Sequence, residues 1–482
     1  MRKTIFYFFG LVLILTLTSC DFLSNAGDMS QVSIALPGAD GSRAIGGFPA
    51  DITITGYTVT VFGPGMQPVR KQISPGARYV NLYVPAGENR HFTLEAYFTP
   101  NNPDTYAHPH LRSFKGRAST DLLPGRIVAL RFKMSAGATQ LLVPDYSCFD
   151  PFLSSAVIHY ADTLEDFSLN QVSNLAAFDI FNPTDLAVSS DGRIFAASDG
   201  DTALYWADNV AGLNSSAFST TISVPRAMAI DHDANADMNG DTELETEILY
   251  VICNVSDTDS VLYAFDLAHI EDVGYIPVQF VNVPDLTNIS ITGMDVDPWT
   301  HHLFMVGRTT GGSPQPVIIE FDPTVFNSGT GTEGELIQVL NGDNLPPGLS
   351  TLLDPMDIIV KDYGIFVLNQ VAPEDPNLPV LLRFSRNLEF EKGYGRVSSF
   401  LEVDGQWYYT QTYDPWKFYE TKRFINNENR GLYIVDDGWD NMDNMFEKVV
   451  HIDVNIQDLS VSWSQYPASA ADAEYFDFGF PF

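Results

Sequence analysis

Short apolar strands recur through the last two thirds of this 482-residue chain, and most copies end in aspartate. Six copies stand 46 to 63 residues apart, starting at Ile158, Leu204, Leu262, Ile318, Leu381 and Leu432. A second series of six strands alternates with the first, at residues 185–188, 227–230, 293–296, 357–360, 400–403 and 458–461. Sheet repeats of this period are typical of a β-propeller, in which each blade is a four-stranded meander. The repeat therefore predicts a six-bladed propeller over residues 143–482, with five or seven blades as the alternative if the degenerate copy near Phe400 is misassigned.

The two series are offset at the chain ends. The aspartate-terminated series begins first, at residue 158, and the other series ends last, at 458–461. An inner strand from the C-terminus can then share a blade with outer strands from the N-terminus, which closes the ring without an exposed edge. We predict that residues 157–162 complete the blade whose inner strand is 458–461.

A repeat family resembles part of this pattern. Residues 183–188 read Pro-Thr-Asp-Leu-Ala-Val, and Ser190, Asp191 and Gly192 follow. This segment resembles the NHL-type repeat of six-bladed propellers, with partial matches at 224–231 and 354–358. The resemblance implies the propeller architecture and says little about activity.

Residues 30–142 have a different pattern. About seven short runs alternate apolar and polar residues, with turn residues between them, which predicts a β-sandwich. Residues 82–92 resemble the Ig-like or transthyretin-like modules of bacterial surface proteins, which usually act as spacers or adhesive units. We expect an all-β chain, a sandwich followed by the propeller.

The first 19 residues predict a signal peptide. Arg2 and Lys3 precede an apolar run at 5–17, and Leu17-Thr18-Ser19-Cys20 resembles the bacterial lipobox. The resemblance implies acylation of Cys20, a short tether over 20–29, and a lipid anchor in the inner or outer membrane of the cell envelope. The alternative is an ordinary secretory signal in which the cysteine is incidental.

The chain carries 26 Lys and Arg residues against 61 Asp and Glu residues, a net charge of −35. Such a charge repels phosphate backbones, so we exclude nucleic acid as a partner, and it attracts divalent cations. Two cysteines follow Cys20. Cys148 and Cys253 either form a disulfide or leave Cys253 as a buried thiol in the apolar strand 248–253.

An acidic stretch is a candidate calcium loop. Oxygen-bearing side chains alternate along it, at Asp233, Asn235, Asp237, Asn239 and Asp241. Calcium takes six to eight oxygen ligands from such turning loops, and Gly240 supplies a turn position. The stretch resembles an EF-hand-type or dockerin-type loop but lacks the final glutamate at the expected place. A solvated loop with Asx-turns remains the alternative.

A second set of carboxylates is predicted on the propeller axis. Equivalent positions of the inner strands point one way because side chains alternate along a strand. The set comprises Asp185, Asp295, Asp357, Glu402 and Asp458. Calcium-dependent lactonases and esterases with six blades hold their metal with carboxylates near the channel, and this chain resembles them in that broad respect. The alternative is that these side chains cap backbone N–H groups.

Aromatic residues crowd a segment near the C-terminus. Tyr413, Trp416 and Tyr419 lie close in sequence to lysine and arginine residues, a composition that suits binding of a sugar or a protein hot spot.

Two functions follow from the sequence. The first is a membrane-anchored binding or scaffold module whose propeller engages an envelope protein or carbohydrate. The alternative is a calcium-dependent hydrolase that uses the channel carboxylates.

Overall fold

A computed structural model describes the strands and many of the turns of this chain. The described residues are 29–37, 48–102, 111, 113–136, 141–144, 158–161, 183–191, 193–198, 204–207, 216–217, 222–232, 234, 247–254, 259–272, 277–280, 286, 288–310, 314–324, 326–327, 331–332, 334–341, 345, 354–370, 379–395, 398–403, 406–411, 420–425, 432–439, 445–454 and 461–467. The fold is all-β, as predicted. It divides into two compact units, Met1–Tyr106 with Arg112–Ala138, and Ala107–Leu111 with Thr139–Phe482.

The first unit contains eight strands in two sheets. They are β1 (Met29–Ala35), β2 (Ile52–Phe62), β3 (Val69–Ile73), β4 (Tyr79–Pro85), β5 (Gly87–Pro100), β6 (Ser113–Leu122), β7 (Ile127–Leu130) and β8 (Ser135–Ala136). One sheet has the order β4-β1-β7 and the other β3-β2-β5-β6-β8. Inward-facing residues of both sheets form a single hydrophobic cluster that includes Ile34, Val59, Leu82 and Phe92. The alternation of apolar and polar residues therefore gives each sheet one buried face.

A buried arginine of the first unit, Arg90, binds three backbone carbonyls. Arg90 donates hydrogen bonds to the backbone carbonyls of Pro64 at 2.6 Å, Ala86 at 2.8 Å and Pro85 at 3.0 Å. Gly87 lies against this guanidinium at φ +153°, and a Cβ there would approach Arg90 Cζ to 2.7 Å. Glycine is required at this position for two reasons. Other residues are strained at this positive φ, and their Cβ would collide with the Arg90 guanidinium.

The described part of the second unit begins with ten strands in three small sheets. The strands are β9 (Leu141–Pro144), β10 (Ile158–Ala161), β11 (Pro183–Val188), β12 (Ile194–Ser198), β13 (Tyr205–Ala207), β14 (Ser216–Ala217), β15 (Val224–Asp231), β16 (Ile248–Asn254), β17 (Ser260–Asp266) and β18 (Val278–Phe280). They form the antiparallel pair β10-β9 and two four-stranded meanders, β11-β12-β13-β14 and β15-β16-β17-β18. Strand β16 is buried along nearly its whole length, which confirms the predicted buried strand.

Three further sheets and a short hairpin complete the described part of the second unit. Their strands, with one short hairpin, are β19 (Ile289–Val296), β20 (Leu303–Thr309), β21 (Pro316–Asp322), β22 (Phe326–Asn327), β23 (Gly331–Thr332), β24 (Glu335–Leu340), β25 (Pro355–Lys361), β26 (Gly364–Asn369), β27 (Pro379–Phe384), β28 (Phe390–Gly395), β29 (Ser398–Val403), β30 (Gln406–Gln411), β31 (Glu420–Ile425), β32 (Leu432–Trp439), β33 (Met445–Val454) and β34 (Val461–Pro467). The sheet orders are β19-β20-β21-β24, β25-β26-β27-β28-β29-β30 and β31-β32-β33-β34, and β22 pairs with β23.

The hydrophobic clusters of the second unit lie between consecutive sheets. One contains Phe195 of β12 with Phe265 of β17, and the next contains Tyr250 of β16 with Met305 of β20. The sheets that begin at residues 224, 289 and 355 therefore bury both faces against their neighbours along the chain. The first strands of the sheets contact one another in sequence from β11 through β15, β19 and β25 to β31, and β9 contacts both β31 and β11.

Among the described residues, the predicted closing blade that joins 157–162 to the C-terminal strand is not found. Strand β10 pairs with β9, whereas β34 pairs with β33 as the fourth strand of its own sheet. The first strand of that sheet is β31, and residues 400–403 belong to β29, the fifth strand of the preceding sheet; residues 458–460 lie outside the described residues. Alternation indicates which residues share a face but does not identify the neighbouring strand, and this ambiguity caused the error.

Two further findings concern the membrane and the cysteines. Among the described residues, the structure has no helix of a length and hydropathy that could cross a bilayer. Cys253 is a free, fully buried thiol, and burial raises its pKa to about 12. Cys148 lies outside the described residues.

Candidate functional site

The first strands of five sheets share one irregularity. The register shifts by one residue between Pro183 and Asp185, and equivalent shifts occur at 225/227, 291/293, 355/357 and 421/423. A β-bulge of this kind increases the local twist and redirects the next side chain. The residues after the bulge include Asp185 and Asp357, so the repeat places them at equivalent points of two sheets.

Each of three predicted channel carboxylates bridges two sheets. Asp185 accepts the N–H of Leu186 through Oδ1 at 2.8 Å and the N–H of Met228, in the next first strand, through Oδ2 at 2.7 Å. Asp357 does the same with Ile358 at 2.9 Å and Phe424 at 2.8 Å. The carboxylate oxygens therefore accept hydrogen bonds from backbone N–H groups of the next first strand. These N–H groups need such an acceptor because the two first strands belong to different sheets and do not pair with each other.

Asp295 repeats the bridge two residues further along its strand. Its Oδ1 accepts the N–H of Val296 at 2.9 Å, and its Oδ2 accepts the N–H of Val360 at 2.7 Å. Bridges at two levels thus connect β11 to β15, β19 to β25 and β25 to β31. This is the capping alternative stated for these side chains, realised between sheets as well as within a strand.

Small residues allow the first strands to approach closely. Gly293 occupies the position after the bulge in β19, and a Cβ there would lie 2.5 Å from Asp357 Cα and 3.1 Å from the backbone nitrogen of Ile358. The equivalent residue of β15 is Ala227, which is fully buried. The positions without a carboxylate therefore provide space for the neighbouring strand.

The other two channel candidates are not brought to these bridges. Glu402 belongs to β29, the fifth strand of its sheet and four strands away from β25, so its predicted place on an inner strand is wrong. Asp458 lies outside the described residues. Within the part of the chain that the structure describes, no cluster of three or more His, Cys, Asp or Glu side chains is arranged to hold a metal ion.

The candidate calcium residues Asp233, Asn235, Asp237, Asn239 and Asp241 lie outside the described residues, but the segment entering the loop is described. Asp231, at the end of β15, accepts a hydrogen bond at 2.9 Å from the Nδ1 atom of His301 when that nitrogen is protonated. His232 lies 2.8 Å from Glu247, which also accepts the N–H of Ser190 at 2.6 Å. These contacts connect the start of the loop to both neighbouring sheets.

A polar network at the end of β19 was missed by the sequence analysis. Asp297 is buried, forms an ion pair with Arg386, and accepts the N–H of Trp299 at 2.8 Å. His302 pairs with Glu320 at 2.8 Å and faces Asp322 at 3.7 Å. The hydrogen bond to Glu320 is the main cause that raises the pKa of His302, and nearby Asp322 and Asp297 add to it, although burial opposes the shift.

The signal that could have found this network is positional. Asp231 closes β15 and Asp297 directly follows β19, so both stand at the same end of equivalent strands. Asp191 occupies the corresponding turn after β11. Burial by itself would raise its pKa, but hydrogen bonds from Ser189 and Arg193 and the charge of Arg193 outweigh burial and lower the pKa.

The remaining predicted sites cannot be placed. Cys20, Tyr413, Trp416 and Tyr419 lie outside the described residues.

In the first unit, a polar group on the longer sheet joins Glu95 to the hydroxyls of Tyr97 at 2.5 Å and Ser113 at 2.9 Å. Burial, followed by the adjacent Glu95, raises the pKa of Tyr97 to about 12, so this phenol stays protonated and acts as a donor.

No protein-family model matches the chain, and no curated protein matches it. Among solved structures, a candidate gluconolactonase is similar with a TM-score of 0.34 and 10% identity, covering 69% of this chain and 91% of its own. A protein from Lactobacillus plantarum gives 0.32 and 10%, with 75% and 97% covered. The extracellular domain of a candidate hybrid two-component system from B. thetaiotaomicron gives 0.30 and 8%, with 67% and 47% covered. These are distant likenesses of fold.

Proposed function

We propose that this chain is a cell-envelope lipoprotein whose second unit is a binding or scaffold module rather than an enzyme. The observation that carries the proposal is the use of Asp185, Asp295 and Asp357. Each directs both carboxylate oxygens at backbone N–H groups of two successive sheets. These side chains hold the framework together, and a framework of this kind presents its loops for binding.

The architecture belongs to the same proposal. We assign residues 30–142 to a β-sandwich and 143–482 to a six-bladed propeller, in which β9 and β10 contribute to the sixth blade. The contacts of β9 with both β31 and β11 support this assignment. Closure then depends on packing of β9 between its neighbours, and the C-terminal strand β34 stays in its own blade.

The alternative function is a calcium-dependent hydrolase of the lactonase or esterase type. It matches the name of the candidate gluconolactonase better than the binding proposal does. It requires a cation held by several oxygens at about 2.3–2.6 Å. Asp458 and the loop residues 233–241 are the carboxylates left to supply them, because three of the original five are engaged by backbone donors.

Lactone and ester hydrolysis with and without calcium separates the two functions. We expect no turnover above that of the heat-denatured chain in calcium or in chelator. Calcium-dependent hydrolysis that Asp458→Asn abolishes, while circular dichroism of the variant is unchanged, would establish the hydrolase. The matched control is Asp272→Asn, which alters an exposed carboxylate far along the sequence from these candidates.

Calcium binding by the loop is a separate question. Calorimetric titration of the unaltered chain should give heat of binding that Asp237→Ala removes, if the loop binds calcium as we propose. Equal heat from both proteins would assign the ion to another place, and absence of heat from both would end the calcium proposal.

The lipid anchor and the aromatic segment each have a direct test. Metabolic labelling with an alkyne fatty acid should mark the unaltered chain and leave Cys20→Ala unlabelled. An unlabelled wild-type chain would refute the anchor.

A glycan array probed with the unaltered chain and with the triple alanine variant of Tyr413, Trp416 and Tyr419 tests the proposed carbohydrate contact. Identical profiles would reject that surface.

A further inference from the structure

The charge of this chain is divided very unevenly between its two units. Residues 29–138 contain 11 Lys and Arg residues and 6 Asp and Glu residues, a net charge of +5. Residues 139–482 contain 13 Lys and Arg residues and 53 Asp and Glu residues, a net charge of −40. An asymmetry of this kind indicates that the two units meet different surroundings. The basic unit is the one that follows the predicted anchor.

The outer face of sheet β4-β1-β7 carries no charged side chain on its three strands. Strand β1 directs Val32 and Ile34 into the core, which leaves Gln31, Ser33 and Ala35 on the outer face. In β4 the outward residues are Tyr79, Asn81 and Tyr83, and in β7 they are Ile127 and Ala129. Tyr83, Gln31 and Ile127 stand side by side across the three strands.

Large hydrophobic residues are concentrated on this face. Tyr79 is 65% exposed, Tyr83 67% and Ile127 71%, and Leu123, in the turn that precedes β7, is 63% exposed. Among the described residues, the other large hydrophobic with comparable exposure is Ile337 of the second unit, at 45%. Isolated exposed hydrophobics are ordinary, but a contiguous group usually marks a contact surface.

Basic side chains border the apolar group. Arg126 precedes Ile127, Arg78 precedes Tyr79, and Arg131 follows β7; all three are exposed. Lys71 of the neighbouring sheet extends to β4, where its Nζ donates to the Asn81 carbonyl at 3.2 Å. The surface therefore combines tyrosine and aliphatic side chains with a basic rim, which is the composition of proteins that rest in the interface of anionic membranes.

The predicted anchor enters at the same edge. Strand β1 begins at Met29, nine residues after Cys20, so at most about 30 Å of extended chain separates it from an acylated cysteine. At that end, the Met29 carbonyl accepts the N–H of Gly125 at 2.9 Å, and the Leu123 carbonyl accepts the Ser30 hydroxyl at 2.5 Å. The turn that carries Leu123 thus lies beside the point where the tether leaves.

We propose that the outer face of sheet β4-β1-β7 docks onto the surface of an anionic lipid bilayer. Tyr83, Leu123 and Ile127 enter the headgroup region, and the basic rim contacts lipid phosphates. Salt at about 0.1 M screens charges beyond about 10 Å, so the surface in contact governs binding rather than the total charge of −35. The inference extends the proposed lipid anchor and adds a second, acyl-independent membrane contact.

Vesicle flotation of the chain that begins at Asp21 tests the proposal without the acyl group. This chain keeps every described residue and lacks both the leader and Cys20. It is mixed with vesicles of phosphatidylcholine alone or with about one third phosphatidylglycerol, at low and high salt. The test variant is Tyr83→Ser with Ile127→Ser, and the matched control is Ile337→Ser, which removes an exposed isoleucine from the acidic unit.

We expect at least tenfold more flotation with anionic vesicles than with neutral ones, a loss of binding at high salt, and a loss of at least fivefold in the double variant. The control variant should float like the unaltered chain. The proposal is overturned by a chain that stays at the bottom of the gradient with both vesicle types, or by a double variant that floats normally.

Sedimentation of the same proteins addresses the competing occupant, a second copy of the chain. If the unaltered chain sediments as a dimer and the double variant as a monomer, the face is a self-association surface and the membrane-docking proposal is overturned. Failure of Cys20 labelling would refute the anchor alone, because the flotation experiment contains no acyl group. Unchanged thermal unfolding of the first unit in the double variant confirms that the altered unit remains folded.

Discussion

Several of the described aspartate side chains accept hydrogen bonds from backbone N–H groups. The aspartates at the ends of the repeated strands have a structural role that explains their recurrence. Asp266 accepts the N–H of Ala268 at 2.9 Å, and Asp322 accepts the N–H of Thr324 at 2.8 Å. Both form Asx-turns that redirect the chain at the end of the third strand of a sheet. A strand-terminal aspartate is therefore a turn residue, and its recurrence reports architecture.

His302 should make stability depend on pH. Its pKa lies above the usual 6.5 because of Glu320 and nearby acids, so protonation favours the folded state. The stabilisation is complete below pH 6.5 and is lost as pH rises through the higher folded pKa. We expect His302→Gln to lower the unfolding free energy by about 1 kcal/mol at pH 6, with a smaller loss at pH 9.

Urea unfolding of both proteins across this range measures the difference. His269→Gln is the control, since His269 is 53% exposed and pairs with Asp272 at the surface. An equal loss at both pH values in His302→Gln would contradict the assignment.

At the scale of elements, the structure joins parallel first strands through side chains. Neighbouring sheets of the second unit pack face to face, and the bridging aspartates satisfy N–H groups that lie at the inner edge of each sheet. The bulge shared by five first strands sets where those N–H groups point. Gly293 and Ala227 keep the adjoining positions small enough for this approach.

Asp357→Ala should be strongly destabilising. Asp357 is 6% exposed, and its removal leaves the N–H groups of Ile358 and Phe424 without their acceptor. We expect a loss of about 2–4 kcal/mol in the unfolding free energy of the second unit. Chemical unfolding followed by tryptophan fluorescence measures it, because all six tryptophans lie beyond residue 200. Asp272→Ala, at an exposed site, should change stability by less than about 0.5 kcal/mol; similar losses in both would refute the bridge.

Gly293→Ala tests the close approach of β19 and β25. The added methyl would lie 2.5 Å from Asp357 Cα, so the strands must separate. Overpacking of this kind costs about 1–3 kcal/mol. Gly76→Ala is the matched control, because a Cβ at Gly76 meets no atom within 4 Å. Thermal unfolding of the two variants gives the comparison, and an unaltered midpoint for Gly293→Ala would show that the strands have room.

At the scale of the whole molecule, two units have separate cores and opposite charge. The cluster of the first unit draws all its residues from β1 to β7 and the adjoining loops, and the clusters of the second unit draw none from them. The net charge of −35 conceals a basic unit of +5.

Separate cores predict separate unfolding transitions. Phe92→Ala and Phe304→Ala each remove a buried ring, at 0% and 1% exposure, from the first and second unit respectively. Each should destabilise its own unit by about 3–5 kcal/mol and leave the other transition in place. Differential scanning calorimetry distinguishes the two transitions. A single transition that both variants shift together would show that the units unfold as one.

Local pattern predicted the fold class because alternation and turn residues are local properties. The strands at 248–253, 262–266 and 318–322 follow from apolar runs bounded by turns, and the structure contains each of them. Glu402 shows where this reasoning ended. Residues 400–403 alternate like an inner strand, yet β29 pairs with β28 and β30 at the outer part of its sheet. Sequence period carries no information on which strand is the neighbour.

The sequence by itself determined the all-β class, the repeat, the buried strand around Cys253 and the charge of each unit, because these depend on composition and on residues near one another in the chain. The tertiary structure decided which strands are first in their sheets, and that Asp185, Asp295 and Asp357 bind backbone across sheets. It also decided that Tyr83, Gln31 and Ile127 form one row. Such contacts join residues from about 40 to about 100 positions apart, and only the folded chain brings their atoms within hydrogen-bonding or packing distance.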